Sequence, residues 1–212
     1  MFIERFYPKE WRESAYAVDW ESWRKKGIRG VIFDVDNTLV PHGAPADART
    51  EVEQRTYALL ERLQIPFDRV DHDTAATMDD CAVVSKVLGV PICKNLLLTP
   101  RNRSAFYLLC MPADKPFITR DFSRQIGSSR LSFATAEDLE ELLGVPVGSA
   151  SVLALMNDPD HRVTLAWDRA VAEGAYFGCH PCRGTSSLRL RTSDVRDIFL
   201  RHTGHEVTIV DL

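Results

Sequence analysis

The 212-residue sequence lacks the features of a membrane-spanning or exported chain. It contains no run of 18 apolar residues, which excludes a membrane-spanning helix. Its first residues, MFIERFYPKEWRES, carry acidic and aromatic side chains where a signal peptide has a basic start and an apolar stretch. The five cysteines are odd in number and scattered, which favours reduced thiols over a disulfide framework. We therefore expect a cytoplasmic protein with no membrane partner.

Lysine is scarce, because only six of the 26 basic residues are lysine. The 30 acidic residues give a formal net charge of −4, which excludes a strongly basic surface that coats nucleic acid. Residues 101–130 and 183–201 nevertheless each hold more basic than acidic side chains. These segments predict either a local basic face for phosphate groups or scattered, solvated arginines.

The pattern after residue 50 predicts short strands mixed with short, capped helices. Thr50 and Glu53 are predicted to form a capping box, and further helices are expected to begin near Thr77, Thr119, Thr135 and Ser193. Strands are expected at residues 66–72, 92–98, 104–111, 130–134, 150–156, 162–167, 175–181, 186–192 and 206–210. Two pairs, 92–98 with 104–111 and 150–156 with 162–167, surround turns typical of hairpins. The pattern predicts an α+β fold with a mixed, largely antiparallel sheet.

The first 48 residues differ from the rest and end in the Pro- and Ala-rich stretch PHGAPADA. Within GVIFDVDNTLV, an apolar strand precedes Asp34 and Asp36. This motif resembles the first motif of haloacid-dehalogenase-like phosphatases of the YqeG type, which implies a nucleophilic Asp34, an acid/base Asp36 and a bound Mg²⁺. The later motifs of such enzymes are missing. We interpret residues 1–48 as a truncated strand–helix extension, with a phosphatase as the less favoured function.

Five ordered segments carry a second resemblance, which covers residues 50–212. They are Lys94–Leu98, Arg130–Ala134, Leu143–Val152, His180–Pro181 and Gly204–His205. Together they resemble the YbaK/ProX family of aminoacyl-tRNA deacylases, freestanding relatives of the editing domain of bacterial prolyl-tRNA synthetase. The resemblance implies hydrolysis of the ester of mischarged tRNA, above all alanine on proline tRNA. It also implies that prolyl-tRNA synthetase is a possible partner and that no metal or cofactor is needed.

Lys94 is the first candidate catalytic residue. A lysine in an otherwise apolar strand is costly to bury without a partner, although its side chain could simply extend to water. The resemblance implies that Lys94 binds the phosphate of the terminal adenosine or polarises the ester carbonyl. It also implies that Asn95 orients the substrate, although a strand asparagine could face solvent.

The segment Gly148-Ser149-Ala150-Ser151 is predicted to be a small-residue loop that enters a strand. Small side chains allow main-chain N–H groups to approach a ligand, although a plain tight turn has the same composition. The resemblance implies that all four residues bind the aminoacyl group and position the attacking water.

His180 lies in Cys179-His-Pro-Cys182, a pattern that is compatible with four types of site. They are a redox pair, part of a zinc site, a buried structural histidine and a substrate-pocket residue. The resemblance favours the last, with His180 catalytic and Thr185 in contact with the substrate. Gly184 stands where the family usually has asparagine. That departure motivates an alternative function, a non-catalytic relative that binds tRNA or protein.

Overall fold

The computed structural model describes residues 20–27, 50–72 and 78–212. The chain divides into two units, Met1–Ala48 and Arg49–Leu212. In the first unit, helix α1 (Trp20–Lys25) is followed by Gly27 at φ +83°. Asp34 and Asp36 lie outside the described residues, so the phosphatase-like interpretation stays a prediction. No helix in the described ranges is long and apolar enough to cross a bilayer.

The described part of the second unit combines eight strands with short helices. The helices are α2 (Glu51–Arg62), α3 (Met78–Leu88), α4 (Thr119–Gln125), α5 (Ala136–Leu143), a 3-10 helix (Val152–Asn157), α6 (Arg169–Ala172) and a last segment that is α-helical over Thr192–Asp194, π-helical over Val195–Phe199 and α-helical over Leu200–Thr203. The strands are β1 (Phe67–Asp71), β2 (Cys93–Pro100), β3 (Phe106–Pro112), β4 (Leu131–Phe133), β5 (Val163–Asp168), β6 (Tyr176–Cys179), β7 (Ser186–Arg191) and β8 (Val207–Val210).

The strands form two sheets. A five-stranded sheet has the order β4-β2-β3-β5-β8, and a three-stranded sheet has the order β1-β7-β6. β2 is antiparallel to β3 and β4, whereas β5 is parallel to β3 and β8. All pairs in the smaller sheet are antiparallel. The predicted α+β class with a mixed, largely antiparallel sheet is therefore confirmed.

The core lies on both faces of the larger sheet. On the central strand β3, Leu108, Leu109, Cys110 and Met111 are all fully buried, although they alternate between the two faces. Leu108 and Cys110 pack in the main cluster with Trp167, while Leu109 and Met111 pack in a second cluster around Phe122. A central strand covered on both sides explains why this segment is a continuous apolar run.

The prediction for residues 150–156 was wrong, because the chain forms a 3-10 helix over Val152–Asn157 instead of a strand. Val152, Leu153, Ala154 and Leu155 are all buried, so their apolar run has no alternation that could separate strand from helix. The Ser151 hydroxyl accepts from the Leu153 N–H at 3.2 Å and caps the helix. The predicted hairpin with 162–167 is therefore absent, and β5 pairs with β3 and β8.

Of three predicted helix starts, one is confirmed in full. Thr50 is the N-cap residue of α2, as predicted, but its side chain makes no capping bond, so the predicted capping box with Glu53 is absent. The predicted cap at Thr119 was wrong, because Ile118 precedes α4 and Thr119 is its first residue. Thr135, by contrast, forms a reciprocal capping box with Asp138 at the start of α5. At α2 the Oε1 atom of Glu53 instead lies within hydrogen-bond distance of the Tyr57 and Ser186 hydroxyls.

Candidate functional site

A main-chain bridge between the two sheets brings the predicted Lys94 and His180 segments together. Ile92 and Gly178 form an isolated parallel bridge, and Lys94 and His180 each follow two residues later. A Cβ on Gly178 would lie 2.4 Å from the Pro91 carbonyl oxygen, so this close approach requires glycine. Sequence reasoning missed Gly178, although a glycine inside a strand is a known sign of close main-chain approach.

Lys94 and His180 both line one cavity of about 510 Å³. That volume is within the usual range of about 300–1,000 Å³ for small-molecule sites. The cavity is lined mainly by apolar side chains. Its walls come from β2 and the residue before it, the turn after β3, the end of β4, α5, the loop before the 3-10 helix and the residue after β6: Ile92, Cys93, Lys94, Asn95, Leu96, Leu97, Ala113, Phe133, Ala134, Leu139, Val147, Gly148, Ala150 and His180.

The Lys94 ammonium is held by the turn that follows β3. Its Nζ donates to the main-chain carbonyl of Ala113 at 3.3 Å and to that of Lys115. An ammonium has three N–H donors, so two carbonyls leave one donor for a ligand in the cavity. Among the described residues Lys94 has no carboxylate partner, so its ammonium can stabilise an anionic oxygen at the cavity wall.

The imidazole of His180 is oriented by strand β7. Its Nδ1 lies 2.9 Å from the carbonyl oxygen of Ser186, which can only accept, so Nδ1 carries the proton. Burial lowers the pKa of His180, and the bond to Ser186 opposes this only in part. The neutral ring therefore has an unprotonated Nε2, which can accept a hydrogen bond from a substrate.

A cluster of polar side chains surrounds Ser186, the residue whose carbonyl binds His180. The Ser186 hydroxyl is 2.6 Å from Asp71 Oδ1 and 3.2 Å from Glu53 Oε1, and Glu53 also accepts from Tyr57 Oη at 2.9 Å. Burial raises the pKa of Tyr57, which keeps its hydroxyl protonated as a donor. Sequence reasoning missed this cluster, because the helical spacing of Glu53 and Tyr57 does not show that strand β7 packs against them.

Asn95 also lines the cavity. Its Nδ2 donates to the Cys93 carbonyl at 3.3 Å. Its Oδ1 is buried and has no hydrogen-bond partner among the residues that the structure describes. An unsatisfied buried acceptor costs free energy, so a donor that reached it would be favoured.

The predicted small-residue loop contributes only part of its length to the cavity. Gly148 and Ala150 line it, whereas the Ser149 hydroxyl accepts from the Gly184 N–H at 3.2 Å and the Ser151 hydroxyl donates to the His180 carbonyl at 2.6 Å. The loop leads into the 3-10 helix rather than into the predicted strand. The two serines therefore join this loop to the His180 segment.

The segment after His180 packs tightly against the same loop. A Cβ on Gly184 would lie 3.3 Å from the Gly148 carbonyl oxygen and 3.7 Å from Ser149 Oγ. Thr185 is outside the set of cavity-lining residues, and its carbonyl accepts from the His72 N–H at 2.9 Å. A side chain at position 184 would therefore meet the Gly148 carbonyl.

The cysteines beside His180 do not form a redox pair in this structure. Cys179 and Cys182 are buried, free thiols. Burial raises the pKa of Cys179 well above its ordinary value and that of Cys182 to about 12, so neither thiol is a reactive thiolate at neutral pH. Among the described residues, no group of three or more histidine, cysteine or acidic side chains is arranged to hold a metal.

Comparison with known families accounts for this arrangement. Residues 72–198 match the family model described as the aminoacyl-tRNA editing domain, which is more than half of the chain. The chain belongs to the aminoacyl-tRNA editing domain family. Membership of this family explains the fold and the resemblance found in the sequence.

The relatives of this editing domain are associated by name with prolyl-tRNA. The chain is 32% identical over 170 residues to prolyl-tRNA synthetase associated domain-containing protein 1 of Danio rerio, covering 79% of this chain and 89% of the relative. It is 24% identical to the prolyl-tRNA editing protein ProX of Acetoanaerobium sticklandii, covering 76% of this chain and 98% of ProX.

A solved structure has the same fold. It is that of a proposed trans-editing enzyme for prolyl tRNA synthetase, with a TM-score of 0.57 and 16% sequence identity. The match covers 77% of this chain and 99% of the other. At this level of identity the likeness concerns the fold of the editing domain alone.

Proposed function

We propose that this editing domain hydrolyses the ester bond of mischarged aminoacyl-tRNA, with alanine on proline tRNA as its substrate. The observation that carries the proposal is the orientation of Lys94 and His180 in one cavity. Lys94 offers one free N–H and a positive charge, and His180 offers an unprotonated Nε2. The proposal also draws on the family match and on the names of the relatives.

An aminoacyl ester needs little chemical activation, so positioning and charge stabilisation can supply the reaction. Water adds to the ester carbonyl, negative charge develops on its oxygen, and the ribose oxygen then leaves with a proton. Lys94 stabilises the developing oxyanion or a nearby phosphate. The unprotonated Nε2 of His180 and the unpaired Oδ1 of Asn95 can accept from the positively charged amino group of the substrate.

The position of two arginines supports contact with the tRNA phosphates. Of the six basic residues in 101–130, Arg103, Lys115, Arg120 and Arg124 each pair with an aspartate. The exposed Arg101 and Arg130 have no such partner in the described part of the chain. They directly flank the last β2–β4 register pair, Pro100 with Leu131, and so are neighbours at one sheet edge. We propose that this pair contacts tRNA, and that weaker binding at higher salt would follow.

The deciding experiment measures deacylation of Ala-tRNA(Pro) beside the Ser-, Cys- and Pro-tRNA(Pro) esters. Lys94→Ala should lower the rate by about 10²–10³, the usual effect of removing one oxyanion donor. Lys86→Ala, which removes an exposed lysine from α3, is the matched control. Circular dichroism should show that both variants are folded.

Each outcome has a distinct meaning. Hydrolysis of the alanyl ester alone, abolished by Lys94→Ala, would support both the proposed substrate and the proposed site. Turnover of a different ester would keep the reaction class and replace the substrate. Binding of tRNA without turnover of any ester would favour the alternative of a non-catalytic relative, which Gly184 motivates.

A further inference from the structure

The turn that holds Lys94 is itself held by a residue outside the cavity. The carbonyls that accept from Lys94 Nζ belong to the main chain of Ala113 and Lys115. Their positions therefore depend on how the turn after β3 is fixed to the rest of the fold. Ala113 lines the cavity, but Lys115 does not.

The Lys115 side chain forms an ion pair with Asp168. The Lys115 Nζ lies 2.7 Å from Asp168 Oδ2, with the lysine side chain 31% exposed and the aspartate side chain 0% exposed. Lys115 thus contacts two groups. Its side chain pairs with the buried carboxylate of Asp168, and its main-chain carbonyl accepts from the Lys94 ammonium.

Asp168 is a well-fixed anchor. It is the last residue of β5, and its Oδ1 accepts from the Ala170 N–H at 3.0 Å at the start of α6. Its Oδ2 also accepts from the Leu212 N–H at 3.2 Å. Because three donors from three segments meet at this carboxylate, its position is set by the fold.

The sheet topology explains why the anchor and the turn meet. β3 and β5 run parallel, with Cys110 paired to Trp167. Parallel neighbours end at the same edge of a sheet, so the turn after β3 leaves beside Asp168. The contact follows from the strand order and not from any local sequence motif.

We propose that Lys115 and Asp168 are positioning residues that aim the Lys94 ammonium into the cavity. Asp168 holds the Lys115 side chain and thereby fixes the main-chain carbonyl of Lys115. That carbonyl in turn directs the free N–H of Lys94. Neither residue is among those that line the cavity, so the proposed role acts through Lys94. The inference rests on the proposed function for its effect on rate, but the orientation of Lys94 is testable without turnover.

The kinetic test compares two substitutions of Lys115. Lys115→Met removes the charge but keeps the length of the side chain, and it should lower kcat by about 10- to 100-fold because small misplacements of a catalytic group are costly. KM should change little. Lys115→Arg keeps a cation that can pair with Asp168 and should restore most of the rate, and Lys86→Ala is the control for loss of a lysine.

A spectroscopic test reports on Lys94 directly. With ¹⁵N-labelled lysine, the resonance of the hydrogen-bonded Lys94 ammonium is assigned by its absence in Lys94→Ala. In Lys115→Met it should shift and its protons should exchange faster with water, whereas in Lys115→Arg it should stay close to the wild-type position. Thermal unfolding measured beside it shows whether each variant is folded under the conditions used.

The outcomes separate the two proposals. An unchanged kcat and an unchanged Lys94 resonance in folded Lys115→Met would overturn the positioning role. A wild-type protein that hydrolyses no ester would defeat the proposed function, while the resonance would still support or refute the orientation of Lys94. A loss of rate that Lys115→Arg does not restore would also contradict the proposal, because it would show that the ion pair is not what matters.

Discussion

The hydroxyl of Ser151 donates a 2.6 Å hydrogen bond to the main-chain carbonyl of His180. The same oxygen accepts from the Leu153 N–H and so caps the 3-10 helix. One buried serine therefore connects the small-residue loop, a helix start and the histidine segment. Together with the bridge between Ile92 and Gly178, this bond fixes the His180 segment against the other walls of the cavity.

The first prediction separates the two ring nitrogens of His180. In His180→Asn the amide can still donate to the Ser186 carbonyl, but the Nε2 acceptor is lost. Deacylation should fall about tenfold or more, the cost of one hydrogen bond to a charged group, while the variant stays folded. His180→Gln should lose the bond to Ser186 and be less stable by chemical denaturation. If His180→Asn keeps the wild-type rate and substrate profile, His180 is structural only.

The second prediction concerns pH and stability. Because burial lowers the pKa of His180, the unfolded chain binds this proton more readily than the folded chain. The contribution of His180 to the free energy of unfolding is therefore complete above the pKa of the unfolded chain, about 6.5, and is lost as the pH falls below that value. Wild type should lose more stability than His180→Asn between about pH 7.5 and about pH 5.5. Equal losses in denaturant titrations would contradict this assignment.

The third prediction tests the bridge at Gly178. In Gly178→Ala the added Cβ would meet the Pro91 carbonyl at 2.4 Å, so the two sheets must move apart. We expect a loss of more than about 2 kcal/mol of unfolding free energy, as for other overpacked cores. Gly174→Ala, whose Cβ would come no closer than 3.3 Å to the Val171 carbonyl, should cost less. Equal costs in denaturant unfolding would show that the close approach is unimportant.

The fourth prediction uses Gly184 to alter selectivity. In Gly184→Ala the new Cβ would lie 3.3 Å from the Gly148 carbonyl, so the loop must shift by a few tenths of an ångström. The ratio of alanyl to seryl ester hydrolysis should change about tenfold, the scale of one methylene in a fitted pocket. Because the measured quantity is a ratio, it does not depend on the fraction of folded enzyme. An unchanged ratio would mean that the Gly148 wall does not touch the substrate.

The fifth prediction concerns a buried pair away from the cavity. Asp158 accepts from His205 Nε2 at 3.2 Å and from the N–H groups of Arg162 and Val163 at 2.9 and 2.8 Å. Asp158→Ala should cost about 3 kcal/mol or more, because it leaves buried donors unpaired. Asp160→Ala, an exposed residue of the same turn, is the control. A similar small cost for both variants in urea titrations would refute the stabilising role.

Local patterns were sufficient for much of the fold. The hairpin of β2 and β3, the helix that begins after Thr135 and the final strand all follow from apolar spacing, turn residues and caps that lie close in sequence. Lys94 was predicted to be a candidate because a charge stands in an apolar strand, a signal that needs no tertiary information. The same reasoning failed at residues 152–157, where complete burial removes the alternation that separates strand from helix.

The sequence by itself determined the fold class, the family resemblance and the identity of the charged groups near the site. Only the tertiary structure decided which of them share a cavity, because that depends on the bridge at Gly178 and on the order of the strands. It placed Gly148 and Ala150 in the wall and turned the hydroxyls of Ser149 and Ser151 toward the main chain. It also joined Lys94 to Asp168 through Lys115, since contacts between residues far apart in sequence arise from packing rather than local pattern.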